Sequence, residues 1–285
     1  MTRRRRENVG LAHDTAPMIT AATWDRASEK RSTPGNPWLS MGRLSAYVLL
    51  TLGLLPVQLC ALVFWPSLAR TIPRLHHRWT ARIIGLRIRC VGHPSGAAST
   101  LFVSNHISYF DIIALGSILP ASFVAKADVA DWPVFGFLAR VCRTVFINRN
   151  ASDPRRQIDA IRARLEEPES LIVFPEGTSS DGSRVLPFKS TLFASVEHTA
   201  IVIQPISIRY TRLNGIPIGR AYRPFYAWFG DMDLAPHLWS ALSLGTAEVV
   251  VRFHEPIKAR DAPDRKALAH RCHRDVLLGI GTDLP

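Results

Sequence analysis

Between Leu44 and Ala69 the chain runs for 26 residues without a charge, and its apolar positions follow neither a period of two nor a single helical stripe. About 20 apolar residues cross a ~30 Å hydrocarbon core as a helix, so this segment is long enough to enter a membrane. Gly53, Pro56 and Gln58 interrupt its middle, which leaves a span, a kinked, tilted or re-entrant insertion, and a buried core helix all open. The next stretch changes pattern. Ile72, Leu75, Trp79 and Ile83 recur at helical spacing on one side, with Arg74, Arg78 and Arg82 four apart on another. That is the pattern of an interfacial amphipathic helix, with Pro73 in its first turn and Trp79 at headgroup level.

From Gly85 onward, short apolar runs alternate with helical patterns. Strands are predicted over Leu86–Val91, Thr100–Ser104, Ser122–Ala125, Thr144–Asn148, Leu171–Phe174, Val202–Tyr210 and Glu248–Phe253. Helices are predicted over Asp111–Ser117, Trp132–Val141, Pro154–Glu167, Leu192–His198 and Arg265–Leu278. The expected fold class is α/β: a mixed, largely parallel sheet of about seven strands flanked by helices, preceded by an N-terminal membrane-associated helical segment. Residues 1–40 read as a disordered basic tail, 41–84 as the membrane-inserting and amphipathic segment, and 85–285 as the α/β domain.

Charge sharpens this picture. The net charge is +12, and no Asp or Glu occurs between Lys30 and Phe110, a span that carries Arg43, Arg70, Arg74, Arg78, Arg82, Arg87 and Arg89. Because that basic stretch encloses the most apolar part of the chain, it points to an anionic membrane surface rather than to nucleic acid. Six of these arginines follow Ala69 within twenty residues, which puts the downstream part on the cytoplasmic side. The four cysteines, Cys60, Cys90, Cys142 and Cys272, form no C-x-x-C pair, so reduced thiols are expected and no zinc site.

Two His-x4-Asp patterns occur, His106…Asp111 and His270…Asp275. The second lies in a charged terminal helix and reads as a solvated face. The first follows the apolar strand Leu101–Asn105, at a strand's C-terminal end, where α/β proteins tend to place their chemistry. A chain reversal there brings the Asp111 carboxylate to one imidazole nitrogen and turns the other to the substrate. A second apolar strand runs into Phe174-Pro175-Glu176-Gly177-Thr178. Gly177 allows positive φ or close backbone approach, and Thr178 offers a hydroxyl and an N–H. An ordinary polar turn fits that spacing equally well.

Together these stretches resemble the glycerolipid acyltransferase family, whose best-known members acylate 1-acylglycerol 3-phosphate. The resemblance spans about residues 85–255 and rests on four blocks in order: Asn105-His106-x4-Asp111, Val145–Arg149, Phe174–Thr178, and the aliphatic strand Val202–Ile206 centred on Pro205. Three positions depart from the family pattern. Arg143 stands where a small residue or Gly is usual, Asn148 where an acidic residue is, and Ser190-Thr191 where a Gly-containing turn is common. The run Phe174–Phe188 and the later Phe229–Leu234 look like a bacterial subgroup that includes enzymes acylating lyso-ornithine lipid.

The resemblance implies transfer of a fatty acyl group from acyl-CoA or acyl carrier protein to the free hydroxyl of a lysolipid, at the bacterial inner membrane. The acceptor expected first is 1-acylglycerol 3-phosphate, with lyso-ornithine lipid as the alternative. His106 would be the general base and Asp111 its orienting partner. Arg149 would bind the acceptor's phosphate or carboxylate, with Asn105, Phe174, Pro175, Glu176, Gly177, Thr178 and Pro205 around the pocket, and Lys126 and Lys189 as further anion contacts. No cofactor or metal is needed, since a thioester is already activated. Two rivals from other classes are metal-dependent hydrolysis with His106 and Asp111 as ligands, and a non-enzymatic lipid-binding anchor.

Overall fold

The apolar run does not stay in one piece. In the computed structural model, which describes residues 35–147, 154–167 and 169–281, it is cut at Trp65 into two helices. Helix α1 covers Pro37–Phe64, starting inside the stretch read as tail. The Asn36 side chain accepts from Trp38 N–H at 3.0 Å, and Pro37 sits at the first helical position, where its missing N–H costs nothing. Trp65 precedes Pro66, which disfavours helical geometry, and it leaves the helix at φ −141°, ψ 78°. Helix α2, Pro66–Ile83, then folds back along α1. Pro66 opens it, so Pro73 lies inside the helix and not in its first turn as the spacing suggested.

A proline inside a helix orphans the carbonyl four residues back. For Pro73 that carbonyl belongs to Ala69, and Gln58 Nε2 reaches across from α1 to donate to it at 3.1 Å. The same amide donates to Val141 O at 2.8 Å, at the end of helix α4 (Phe135–Val141). The polar interruption in the run is therefore a clamp. A second clamp lies near the start of α1, where Arg43 donates to the carbonyls of Leu242, Leu244 and Gly245 at 2.5–3.0 Å. These carbonyls close helix α6 (Leu234–Ser243), where a cation also meets the negative end of the helix dipole.

The sheet follows the expected class. Its order is β1 (Leu86–Val91), β8 (Ala247–Phe253), β6 (Val202–Leu213), β2 (Thr100–Ser104), β5 (Ser170–Val173), β3 (Ala121–Lys126) and β4 (Val145–Ile147). Strands β6, β2, β5, β3 and β4 are mutually parallel, and β8 runs antiparallel to β6. Two short strands, β7 (Ile216–Pro217) and β9 (Ile257–Lys258), add to β6. β2 is buried on both faces, as its unbroken apolar run requires. Phe102 faces a core shared with helix α3 (Phe110–Ile118), whereas Leu101 and Val103 face one shared with α5 (Pro154–Glu166) and α7 (Arg265–Gly281). α1 and α2 pack against α3 and α6 within the same compact unit as the sheet.

Two predicted helices differ. Leu192–His198 forms only a 3₁₀ turn, Ser190–Ser195. Ser195 and Thr199 hydroxyls bond the carbonyls of Leu192 and Val196, competing with helical hydrogen bonds. Trp132–Val141 becomes helical only from Phe135, because Val134 stands at φ +63°.

The Gln58 clamp yields a coupled test. Gln58→Leu should destabilise the fold by roughly 2–5 kcal/mol, since two buried carbonyls lose their donors. Pro73→Ala restores an N–H for Ala69 O, so the double variant should recover part of that loss in denaturant melts. Strictly additive effects would contradict the clamp.

Candidate active site

The C-terminal ends of β2, β5, β3 and β4 share one edge of the sheet, which is where parallel strands of this kind present their chemistry. Asn105 and His106 follow β2 directly. The Asn105 side chain continues the ladder, donating to Ile208 O at 3.0 Å and accepting from Ile208 N–H at 2.8 Å. It is 1% exposed, so it fixes the strand end.

His106 Nδ1 lies 2.9 Å from Asp111 Oδ2. The same carboxylate oxygen accepts the backbone N–H groups of Ile107 at 2.6 Å and Ser108 at 2.9 Å, and its other oxygen accepts the Tyr210 hydroxyl at 2.8 Å. Asp111 is fully buried in the first turn of α3, where the helix dipole also favours its charge. The spacing of five residues works because the chain turns between His106 and α3, and the carboxylate caps that turn. The imidazole stacks on Phe174, with centroids 4.0 Å apart at 16°. With Nδ1 held by a carboxylate acceptor, the ring carries its proton there and leaves Nε2 free to act as a base.

The Phe174–Thr178 turn closes against this dyad. Gly177 has φ +76° and its N–H bonds Phe174 O at 3.1 Å, which few other residues allow. Glu176 is 2% exposed, and both oxygens are occupied: Oε1 by His106 N–H at 2.8 Å and Oε2 by Leu186 N–H at 3.0 Å. Burial pushes its carboxyl up to about 7, against the pull of those two N–H groups, with Asp111 adding to the rise. The turn is tied down further by Ser180 N–H on His106 O and Lys189 N–H on Pro175 O. Thr178 is exposed.

The remaining expected residues sit farther out. Lys126 ends β3, which is separated from β2 by β5, and is half-buried; Lys189 is exposed. Pro205 is buried within β6 opposite Val103, its carbonyl accepting from His254 N–H. Arg149 lies outside the described residues, just past the end of β4. Arg143, which departs from the family pattern, stands at φ +62°. A side chain there costs roughly 1–2 kcal/mol, which explains the usual glycine. Here the cost is offset by its pairing at 3.0 Å with Glu169, which Arg164 also meets at 3.1 Å. His270 lies exposed on α7.

Tyr210 was not foreseen. It shares a face of β6 with Ile206 and Ile208, and a hydroxyl at the end of that apolar alternation is the one signal the sequence offered.

A histidine oriented by a buried carboxylate and tied to a Pro-Glu-Gly turn thus stands at the C-terminal edge of a mostly parallel sheet. Residues 87–209 match the Acyltransferase family. The chain is 43% identical to the lyso-ornithine lipid O-acyltransferase of Brucella abortus, over 82% of this chain and 90% of that protein. It is 33% identical to the 1-acyl-sn-glycerol-3-phosphate acyltransferase of Neisseria gonorrhoeae, over 67% and 72%. The crystal structure of PlsC, the 1-acyl-sn-glycerophosphate acyltransferase of Thermotoga maritima, shares the fold with a TM-score of 0.53, covering 84% of this chain and 96% of that one at 21% identity. This chain belongs to the acyltransferase family.

Two predictions follow from the geometry. Tyr210→Phe removes one of four donors from Asp111 and should lower kcat about tenfold at unchanged KM, with the acidic limb of the pH–rate profile, where the His106 base must lose its proton, displaced; an unchanged profile would detach Tyr210 from the dyad. Glu176→Gln turns one acceptor into a donor facing a backbone N–H, so it should destabilise the fold by roughly 1–3 kcal/mol and lower kcat more than it raises the acceptor's KM. The raised carboxyl also means a stability contribution present below about pH 4.5 and lost as pH rises through about 7. Melts of Glu176→Gln against pH should lack that decline.

Proposed function

We propose that this enzyme transfers a fatty acyl group from a thioester donor, acyl-CoA or acyl carrier protein, to the free hydroxyl of a lysolipid at a bacterial membrane. The observation that carries the reading is the buried Asp111 carboxylate on His106 Nδ1, which frees Nε2 for the acceptor. Nε2 takes the hydroxyl proton as the oxygen attacks the thioester carbonyl. Asp111 stabilises the imidazolium, and collapse of the tetrahedral adduct expels the thiolate, which takes the proton back. The products are an ester and a free thiol. Arg149 binds the acceptor's phosphate or carboxylate, and Thr178 lies beside that group.

The acyl chain lies in a cavity of about 330 Å³ between the α1–α2 hairpin, α3, α4 and α6. Its size suits a ligand, and its wall is joined to the dyad through rings: Phe123 lines it and stacks on Phe174, which stacks on His106.

Of the two acceptors, lyso-ornithine lipid is the better supported, although the sequence motifs put 1-acylglycerol 3-phosphate first. The relative named for lyso-ornithine lipid is 43% identical over most of the chain, against 33% for the one named for the glycerol phosphate.

The membrane contact is made in one leaflet. α1 is long and apolar enough to cross, yet Arg43 and Gln58 are both bonded to the folded domain. A helix fixed to one globular body at both points cannot carry that stretch across to the other side. Its outward residues, Leu49, Leu52, Val63 and Phe64, are more than half exposed and enter the lipid, with the α2 arginines at the headgroups of the inner membrane's cytoplasmic leaflet.

The purified full-length enzyme, given a thioester donor with each acceptor in turn, tests this reading. His106→Ala should lower transfer by about 10²–10⁴-fold without loss of fold, His270→Ala should be nearly silent, and a chelator should leave the rate unchanged. Equal damage from the two histidine variants, or loss of activity in chelator, overturns it.

A further inference from the structure

Besides the α1–α2 hairpin, the cavity has a second apolar rim, the uncharged run from Trp132 to Ala139. Trp132, Phe135, Leu138 and Ala139 line the cavity, but Val134 and Phe137 do not. Those two face outward, 68% and 45% exposed, and parts of Trp132 and Phe135 are bared beside them. Four large apolar side chains within six residues make a patch of the kind that marks an interaction surface.

The backbone of this rim is strained. Val134 stands at φ +63°, ψ −56°, and Phe135 N–H donates to Pro133 O at 2.6 Å, which closes the rare, strained form of the γ-turn. A β-branched residue there is an outlier, whereas Gly would adopt the same geometry freely. The turn is nonetheless firmly held. Gly136 N–H donates to Trp132 O and Leu138 N–H to Val134 O, both at 2.9 Å. A Cβ on Gly136 would meet Ala130 O at 2.1 Å, so glycine is needed for the 3₁₀ turn Ala127–Asp131 to back the loop this closely. The fold therefore enforces a strained conformation on a valine and leaves its side chain in the open. Such strain persists where function requires it, and water gives an isopropyl group no reason to be there.

Lipid does. Gln58 of α1 donates to Val141 O at the end of α4, so the hairpin and this rim keep a fixed relation around one cavity. The run stays uncharged until Arg140, which stands in the last turn of α4 behind the apolar patch, much as the α2 arginines accompany the hairpin's apolar face. We propose that the turn from Trp132 to Phe137 is a second membrane contact, entering the same leaflet as the hairpin. The cavity mouth between the two rims then opens onto the acyl chains of the bilayer, so a lipid chain enters it without crossing water. This rests on the reading of the hairpin as a lipid contact.

Partition of the full-length, detergent-purified enzyme onto vesicles of phosphatidylethanolamine and phosphatidylglycerol tests it. Val134→Asp and Phe137→Asp should each lower the partition coefficient about tenfold, the scale of one apolar side chain withdrawn from lipid. Leu278→Asp, a similarly exposed position on α7 across the sheet, should leave it unchanged. Val134→Gly should raise the melting temperature in detergent yet weaken vesicle partition, a pairing that a purely structural turn would not give. For Val134→Asp, kcat/KM should fall with an acceptor embedded in vesicles and hold with a water-soluble, short-chain one. Unchanged partition in all three loop variants overturns the proposal. So does a loss of rate confined to the acyl-carrier-protein donor at unchanged partition, which assigns the patch to protein docking, or the loss of a dimer, which assigns it to a second copy. Leu49→Asp on α1, run alongside, separates the two readings. If it also leaves partition unchanged, the hairpin's lipid contact falls too; if it lowers partition while the loop variants do not, the loop alone falls.

Discussion

A carboxylate shut away from solvent must have its charge met by donors, and Asp111 collects four of them. Much of the site follows from that requirement. Two of the donors are the N–H groups of Ile107 and Ser108, so the chain must turn directly after His106 and enter α3. A third is the imidazole itself, which fixes the ring's tautomer and its plane. The fourth is Tyr210, which ties the dyad to β6, the strand beside β2. Glu176 performs the complementary task from the other side. It holds the His106 backbone and the loop near Leu186, so the two motifs are joined through main-chain hydrogen bonds. A small lateral movement of β2 or β5 would strain both sets at once, which is how the sheet lends its rigidity to one imidazole.

The hairpin of α1 and α2 obeys a different constraint. It leaves large apolar side chains exposed while staying attached to the sheet domain. Hydrophobic contact alone gives no direction. The attachment is therefore polar: Arg43 on the carbonyls closing α6, and Gln58 on the carbonyl orphaned by Pro73. In a dry setting an unmet carbonyl is expensive, so such bonds define register and angle more sharply than packing does. The cavity opens between the hairpin and the sheet as a result.

Element types, and the meeting of His106 with Asp111, were legible along the chain. β2 reads as buried on both faces because it is, and the His106–Asp111 spacing carries meaning because a strand end, a turn and a helix start follow within five residues. Those are local facts, encoded by neighbours along the chain. Where local chemistry competed, the reading slipped, as with the Ser- and Thr-rich turn at Ser190–Ser195 and the entry to α4 at Val134. Pairs far apart in sequence could not be read that way. Gln58 read as a polar flaw in an apolar run until Ala69 and Val141 stood opposite it. Glu176 read as a ligand for substrate until both its oxygens met main-chain N–H groups. Tyr210 was one more strand residue until Asp111, 99 positions away, came within 2.8 Å. Propensity and periodicity are properties of neighbouring residues, whereas the partner of a buried polar atom is chosen by whichever distant segment the fold delivers, and that choice is made by packing.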